Sequence, residues 1–138
     1  MPIEAIFENN NQGIRLLYTG VVSGAESLIA IDEVYRDARF AGLKYWLGDF
    51  TGMEEFTITP DEVRMVAEES SRYVIENKEL YLTMVSRKEQ YYGIMRMYEI
   101  QMGMSDTQDY VLSRMAVFET VEETEAWIAE RVPGIRFD

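Results

Sequence analysis

Residues Leu43–Glu62 read LKYWLGDFTGMEEFTITPDE, a stretch that starts as a buried strand and finishes as the opening of a helix. Leu43 to Phe50 is rich in aromatic and branched side chains, which suit a pleated, buried surface. Thr59-Pro60-Asp61-Glu62 is a capping box, with Pro60 where a first helical residue has no use for its N–H. Between the two lies D-F-T-G-M-E-E-F. Strand-to-helix connections usually take about 2–6 residues, so the spacing predicts an unusually long loop from Asp49 to Thr59. It would lie at the C-terminal end of a parallel strand, where open α/β sheets place their sites.

The same box, Ser or Thr followed three residues later by Glu, recurs at Ser23–Glu26, Ser86–Glu89 and Thr120–Glu123. Each copy precedes a segment of helical period. The pattern predicts a first helix from about Gly24 to Phe40, with Leu28, Ile31, Tyr35 and Ala38 on one face and Gly42 past its end. A second runs from about Pro60 to Asn77, with Val63, Val66, Ala67 and Val74 inward. The third covers about Arg87 to Met104, with Tyr91, Met95, Tyr98 and Met102 at i, i+4, i+7 and i+11. The fourth spans about Val121 to Arg131, with Val121, Trp127 and Ile128 inward, and Pro133-Gly134 ends it.

Strands are expected at Ile14–Val22, Leu43–Phe50, Leu80–Val85 and Tyr110–Phe118. Ile3–Phe7 pairs with Ile14–Val22 as a hairpin across the turn-rich Glu8–Gly13. The layout is β-β-α-β-α-β-α-β-α. It predicts an α/β domain over residues 1–138: a five-stranded, mostly parallel sheet, its first strand antiparallel at or near an edge, and four main helices.

Composition narrows the chemistry. The 138 residues are 47% hydrophobic, enough for a folded core without staples. There is no cysteine and no histidine. Thiol nucleophiles, thiolate metal sites and the commonest general base near pH 7 are thereby excluded. No metal site, cofactor motif or catalytic constellation is read. The adjacent Glu54-Glu55 reads as a solvated pair, and Asp49 has no orienting partner for a general base. A net charge of −12 opposes nucleic acid and anionic membrane surfaces. The longest uncharged stretch, Leu16–Ala25, is far short of a membrane span, and no signal-peptide pattern opens the chain. The cytoplasm is the expected location.

The order of elements, D-F-T-G at the end of the central strand, and the closing A-V-F-E-T-V-E-E-T-E-A-W-I resemble the SpoIIAA-like group. That group includes the STAS domains of anti-sigma factor antagonists and is structurally similar to CRAL/TRIO lipid-transfer domains. The resemblance covers roughly Tyr18 to Arg131. It implies a superhelix of βα turns and a non-catalytic binding or regulatory module. In the antagonists a phosphorylatable Ser follows the turn. Here Met53–Thr59 carries no Ser, and Glu54, Glu55, Asp61 and Glu62 disfavour added negative charge at Thr51, Thr57 or Thr59.

Two places carry candidate binding residues. Asp49-Phe50-Thr51-Gly52 reads as a turn, Asp49 accepting backbone N–H bonds and Gly52 taking a positive φ. Such a turn would present Met53 and Phe56 on an acidic loop, a combination suited to a protein partner. On the third helix, Ile94, Met97, Gln101 and Met104 form a second apolar-rich stripe beside the core face. It fits further core, an interface with a partner that includes a second copy, or the wall of a pocket for a small apolar or lipid-like ligand. The acidic run Glu119, Glu122, Glu123 and Glu125 complements the dipole of the last helix.

Overall fold

The computed structural model describes residues 2–104 and 107–138. Five strands form one sheet in sequential order: β1 (Ile3–Glu8), β2 (Gly13–Ser23), β3 (Tyr45–Thr57), β4 (Tyr81–Val85) and β5 (Met115–Phe118). The edge strand β1 runs antiparallel to β2, and every other pairing is parallel. The hairpin turns through Asn9, Asn10 and Asn11, all three in the left-handed region at φ 54, 57 and 61°, which asparagine tolerates better than most residues.

The helices are α1 (Gly24–Arg36), α2 (Pro60–Glu76), α3 (Glu89–Gly103), α4 (Gln108–Arg114) and α5 (Val121–Arg131). Among the described residues, none is long and apolar enough to cross a membrane. Starts at Gly24, Pro60 and Val121 fall where the capping boxes place them, and α3 begins two residues after Arg87. Ser23 and Thr59 form both bonds of the box, and the Thr120 hydroxyl accepts from Glu123 N. Ser86 does not cap α3. Its hydroxyl accepts from Lys88 N at 3.3 Å, one step too early, and Lys88 takes the cap position without a side-chain bond.

Side-chain alternation sorts the sheet into two faces. Ile14, Leu16, Trp46, Phe50, Leu82, Met84 and Met115 join the inward residues of α1, α2 and α3 in the larger core. The crossover helices all lie on this face, as consecutive crossovers of one hand require in a sequentially ordered sheet. Tyr45, Leu47 and Val85 point the other way, onto Ile128 of α5 and the tail residues Val132 and Ile135. On this second face Arg15 bridges Glu8 at 3.2 Å and Glu125 at 2.8 Å, tying the hairpin to α5.

Four expectations are corrected. The first helix stops at Arg36, and a separate 3-10 turn follows over Ala38–Gly42. Asp37 caps that turn by accepting from Arg39 N at 2.9 Å, and Ala38 is exposed. The fifth strand is only Met115–Phe118, because residues 108–114 form the short α4, which among the described residues adds to the four main helices expected. Strand β4 has five residues and pairs four of them with β5, so an earlier start would find no ladder partner. As a helix, the segment aims the Tyr110 hydroxyl at Leu80 O, 2.7 Å away.

The other two corrections concern the long connection. Residues 49–57 are strand, and β3 continues to Thr57 beside the second half of β2, pairing Val21 with Glu55 and Ser23 with Thr57. Gly52 is not in the left-handed region. The positive φ belongs to Gly20 on β2, at 66°.

Candidate functional site

The apparent insert is a twice-bulged strand. Between the pairs Leu17–Asp49 and Thr19–Gly52, and again between Gly20–Met53 and Val21–Glu55, β3 advances one residue more than β2. Each bulge reverses which face a following residue meets. Phe50, Met53 and Phe56, spaced by three, therefore all turn toward the larger core. Phe50 stacks on Tyr18 with centroids 4.1 Å apart, and Phe56 packs edge-on to Tyr18 and Tyr91.

Strand β4 ends level with Asp49, so the outer edge of β3 beyond it needs other partners. Side chains at the start of α3 supply them. Lys88 Nζ donates to Met53 O at 2.9 Å and Glu54 O at 2.8 Å. The Tyr91 hydroxyl accepts from Phe56 N at 3.0 Å and donates to Glu54 O at 3.2 Å. Backbone groups that would otherwise be left open are satisfied by an ammonium and a phenol.

Above this sheet lies a cavity of about 60 Å³, between β3 and β4 on one side and α1, α2 and α3 on the other. Its cause is local. Gly48 falls between Trp46 and Phe50 on the core-facing side of β3 and puts no side chain beneath the helices. A Cβ there would stand 3.3 Å from Phe50 Cε1 and 3.8 Å from Met84 Cγ. Most of the wall is apolar, with Ile31, Val66, Ile94 and Met95 above. The half-buried Phe56, Ile58 and Ile94 are the wall residues that also reach the surface.

The polar exception is a set of hydroxyls. Tyr35 donates to Ser70 Oγ at 2.7 Å, and Tyr98 bonds to both Ser70 and Tyr35. Tyr18 and Ser27 face each other at 3.4 Å. Burial raises all three phenols above their ordinary range, Tyr18 to about 12. They remain protonated at neutral pH and serve as hydrogen-bond donors and acceptors rather than bases. Beside them Glu69, on α2, shares a hydrogen bond with Asp32 on α1, and its carboxyl is raised to about 7, by burial first and then by that neighbour. Its Oε1 is buried and accepts no hydrogen bond.

No family model matches this sequence. No curated protein and no solved structure matches it either.

The structure separates the residues that the sequence grouped. Phe56 and Ile94 meet in the cavity wall. Met53 is buried in the core at 2% exposure, so it is not on an acidic surface. Asp49 lies half-buried toward the opposite face, where its Oδ1 accepts from Thr51 N at 2.9 Å and Thr51 Oγ1 at 2.6 Å. That bond is the one expected of a turn-forming Asp, made here on a strand. Gly52 is exposed, close to the Thr19 methyl and the Tyr18 carbonyl. Met97 packs half-buried against the core, while Met104, just past α3, is 78% exposed. The stripe on α3 is thus not one surface.

Sequence reasoning missed Gly48, Tyr18, Tyr35 and Ser70. A glycine inside an otherwise bulky strand marks a close approach or a void, and that was the available signal. The hydroxyls gave none, because partners on different elements, 9 residues apart for Tyr18 and Ser27 and 35 for Tyr35 and Ser70, carry no local pattern.

Proposed function

We propose that the protein is a non-catalytic binding module that takes a small, largely apolar ligand into the cavity between the sheet and α1–α3. The observation that carries this reading is the apolar cavity over Gly48 with a hydroxyl cluster on one wall. Apolar pockets with a few convergent polar groups are the common form of small-molecule sites. The ligand's apolar part would lie against Met84, Met95 and Ile94. A single hydroxyl or carbonyl would meet Ser70 and the phenols around it. A volume of about 60 Å³ admits only a few water-sized groups. A larger ligand requires Met84 and Met95 to repack, which unbranched thioether side chains do at low cost.

The regulatory role implied by the SpoIIAA-like resemblance is a second reading, favoured by the sequential strand order. It has less support, because most of the Asp49–Thr59 stretch it would act through, up to Thr57, is strand, with Met53 turned inward.

The test is a titration of the protein with xenon and with small alcohols, read by the methyl resonances of its methionines. Met84 and Met95 should shift with saturation, while the exposed Met104 should not. Native mass spectrometry of freshly purified protein should show a retained small ligand. If the Met84 and Met95 methyls move no more than Met104, the cavity is closed to ligands and the reading falls.

A further inference from the structure

The outer edge of β1 has no strand beside it, since β1 ends the sheet. Thr19 N donates to Pro2 O at 2.8 Å, and the register continues through Glu4–Leu17, Ile6–Arg15 and Glu8–Gly13. In an antiparallel ladder these residues spend their backbone bonds on β2, and the intervening ones face away. The N–H and C=O groups of Ile3, Ala5 and Phe7 therefore form an open row. Next to them runs a groove of about 700 Å³ between β1 and α1. Its floor includes Ala5, Phe7, Ala30 and the exposed Ile29. Its rim carries the carboxylates of Glu26, Glu33 and Asp37 against one guanidinium, Arg39. That guanidinium is already held by Asp37 at 2.8 Å and stacked on Phe7 at 3.6 Å.

We propose that this edge and groove bind an extended, basic segment of a partner protein by strand addition, every second residue a Lys or Arg turned toward α1, its alkyl stem along the apolar floor and its charge at the acidic rim. The open row supplies main-chain bonds, and the groove reads every second side chain. Charge selects the occupant. The rim is acidic, the neighbouring Glu4 and Glu33 have no cationic partner among the described residues, and the chain carries −12 overall. A second copy would bring the same carboxylates to the same groove, whereas a basic segment is attracted to it.

The probe is an alternating Lys-Val hexapeptide, titrated into the full chain and followed by amide shifts and anisotropy. Shifts should centre on Ile3, Ala5, Phe7 and Ile29, and binding should weaken as salt rises. Ala5→Pro removes one outward N–H and spares the bonds to β2, a substitution edge strands tolerate. It should weaken binding at least about tenfold with an unchanged circular dichroism spectrum. Glu33→Lys, at an exposed position, should weaken the Lys-Val peptide and strengthen a Glu-Val one; it decides the matter if Ala5→Pro unfolds. The proposal is overturned if β1 amides do not move, if both peptides bind the parent equally, or if the variants bind as the parent does. It is overturned equally if sedimentation shows a dimer without peptide that Ala5→Pro dissolves, since the occupant would then be a second copy.

Discussion

Gly13 lies directly beneath the ring of Tyr45, so closely that a Cβ on Gly13 would overlap the phenol. Tyr45 cannot easily give way. It is fully buried, and its hydroxyl donates to Glu8 Oε1 at 2.7 Å and accepts from Asn9 Nδ2 at 2.8 Å. The pair joins the start of β2 to the start of β3 and anchors the hairpin.

Gly13→Ala should therefore destabilise the fold by about 1–3 kcal/mol through overpacking. Removing the phenol in the same chain, as Gly13→Ala with Tyr45→Leu, should cost less than the sum of the single changes. Urea denaturation midpoints of the four proteins check this. Simple additivity would mean that the two residues do not conflict.

Gly48→Ala should act in the opposite direction. The nearest atom to the new methyl is Phe50 Cε1 at 3.3 Å, which can move into the cavity. Replacing a mid-strand glycine also removes an entropic cost, so stability should be unchanged or rise by about 0.5 kcal/mol. The methyl responses of Met84 and Met95 to xenon should shrink in the same variant. A large loss of stability would show that the space over Gly48 is already closed.

The Glu69–Asp32 pair should give stability a downward slope with pH. A carboxyl whose folded value lies above its unfolded one favours the folded state when protonated. Its contribution is complete below the ordinary Glu range near ~4.3 and is lost as pH rises through about 7. Glu69→Gln should flatten that slope between about pH 5 and about pH 8. Denaturation midpoints at the two ends measure it. A parent protein that gains stability across this window would contradict the assignment.

Thr59 caps α2, accepting from Glu62 N at 3.2 Å while Glu62 Oε1 accepts from Thr59 N at 2.9 Å. Thr59→Ala should cost about 1 kcal/mol. With that hydroxyl engaged and carboxylates around it, intact-mass measurement of the protein from its native host should show no phosphate on Thr51, Thr57 or Thr59. A stoichiometric phosphorylated species mapping there would refute this.

Charge insertion should separate the two ends of the α3 stripe. Met97→Glu places a carboxylate against the core and should cost about 1–3 kcal/mol. Met104→Glu, at a position 78% exposed, should change stability by less than about 0.5 kcal/mol. Equal effects would mean that both side chains share one environment.

Much of this fold was determined locally. Capping boxes at Ser23, Thr59 and Thr120 set helix starts, because the bonds they make lie within one turn. Inward residues such as Val63, Val66 and Val74, or Tyr91, Met95 and Met102, followed from helical period alone. The antiparallel edge strand followed from a hairpin short enough to read directly. What only the tertiary structure decided depends on partners distant in the chain. Residues 49–57 are strand because β2 is 11 residues long and continues past Asp49's level, and because Lys88 and Tyr91 satisfy the other edge. Their apolar spacing of three, at Phe50, Met53 and Phe56, matches neither a regular strand nor a helix, since two bulges produce it. Tyr110 and Val111 favour strands locally, but β4 is too short to pair with them. The cavity likewise required Gly48 to be set beneath three helices, with Tyr35, Ser70 and Tyr98 converging from three separate elements. Local sequence can determine hydrogen bonds closed within a turn, whereas ladder partners and shared voids exist only once the chain has folded back on itself.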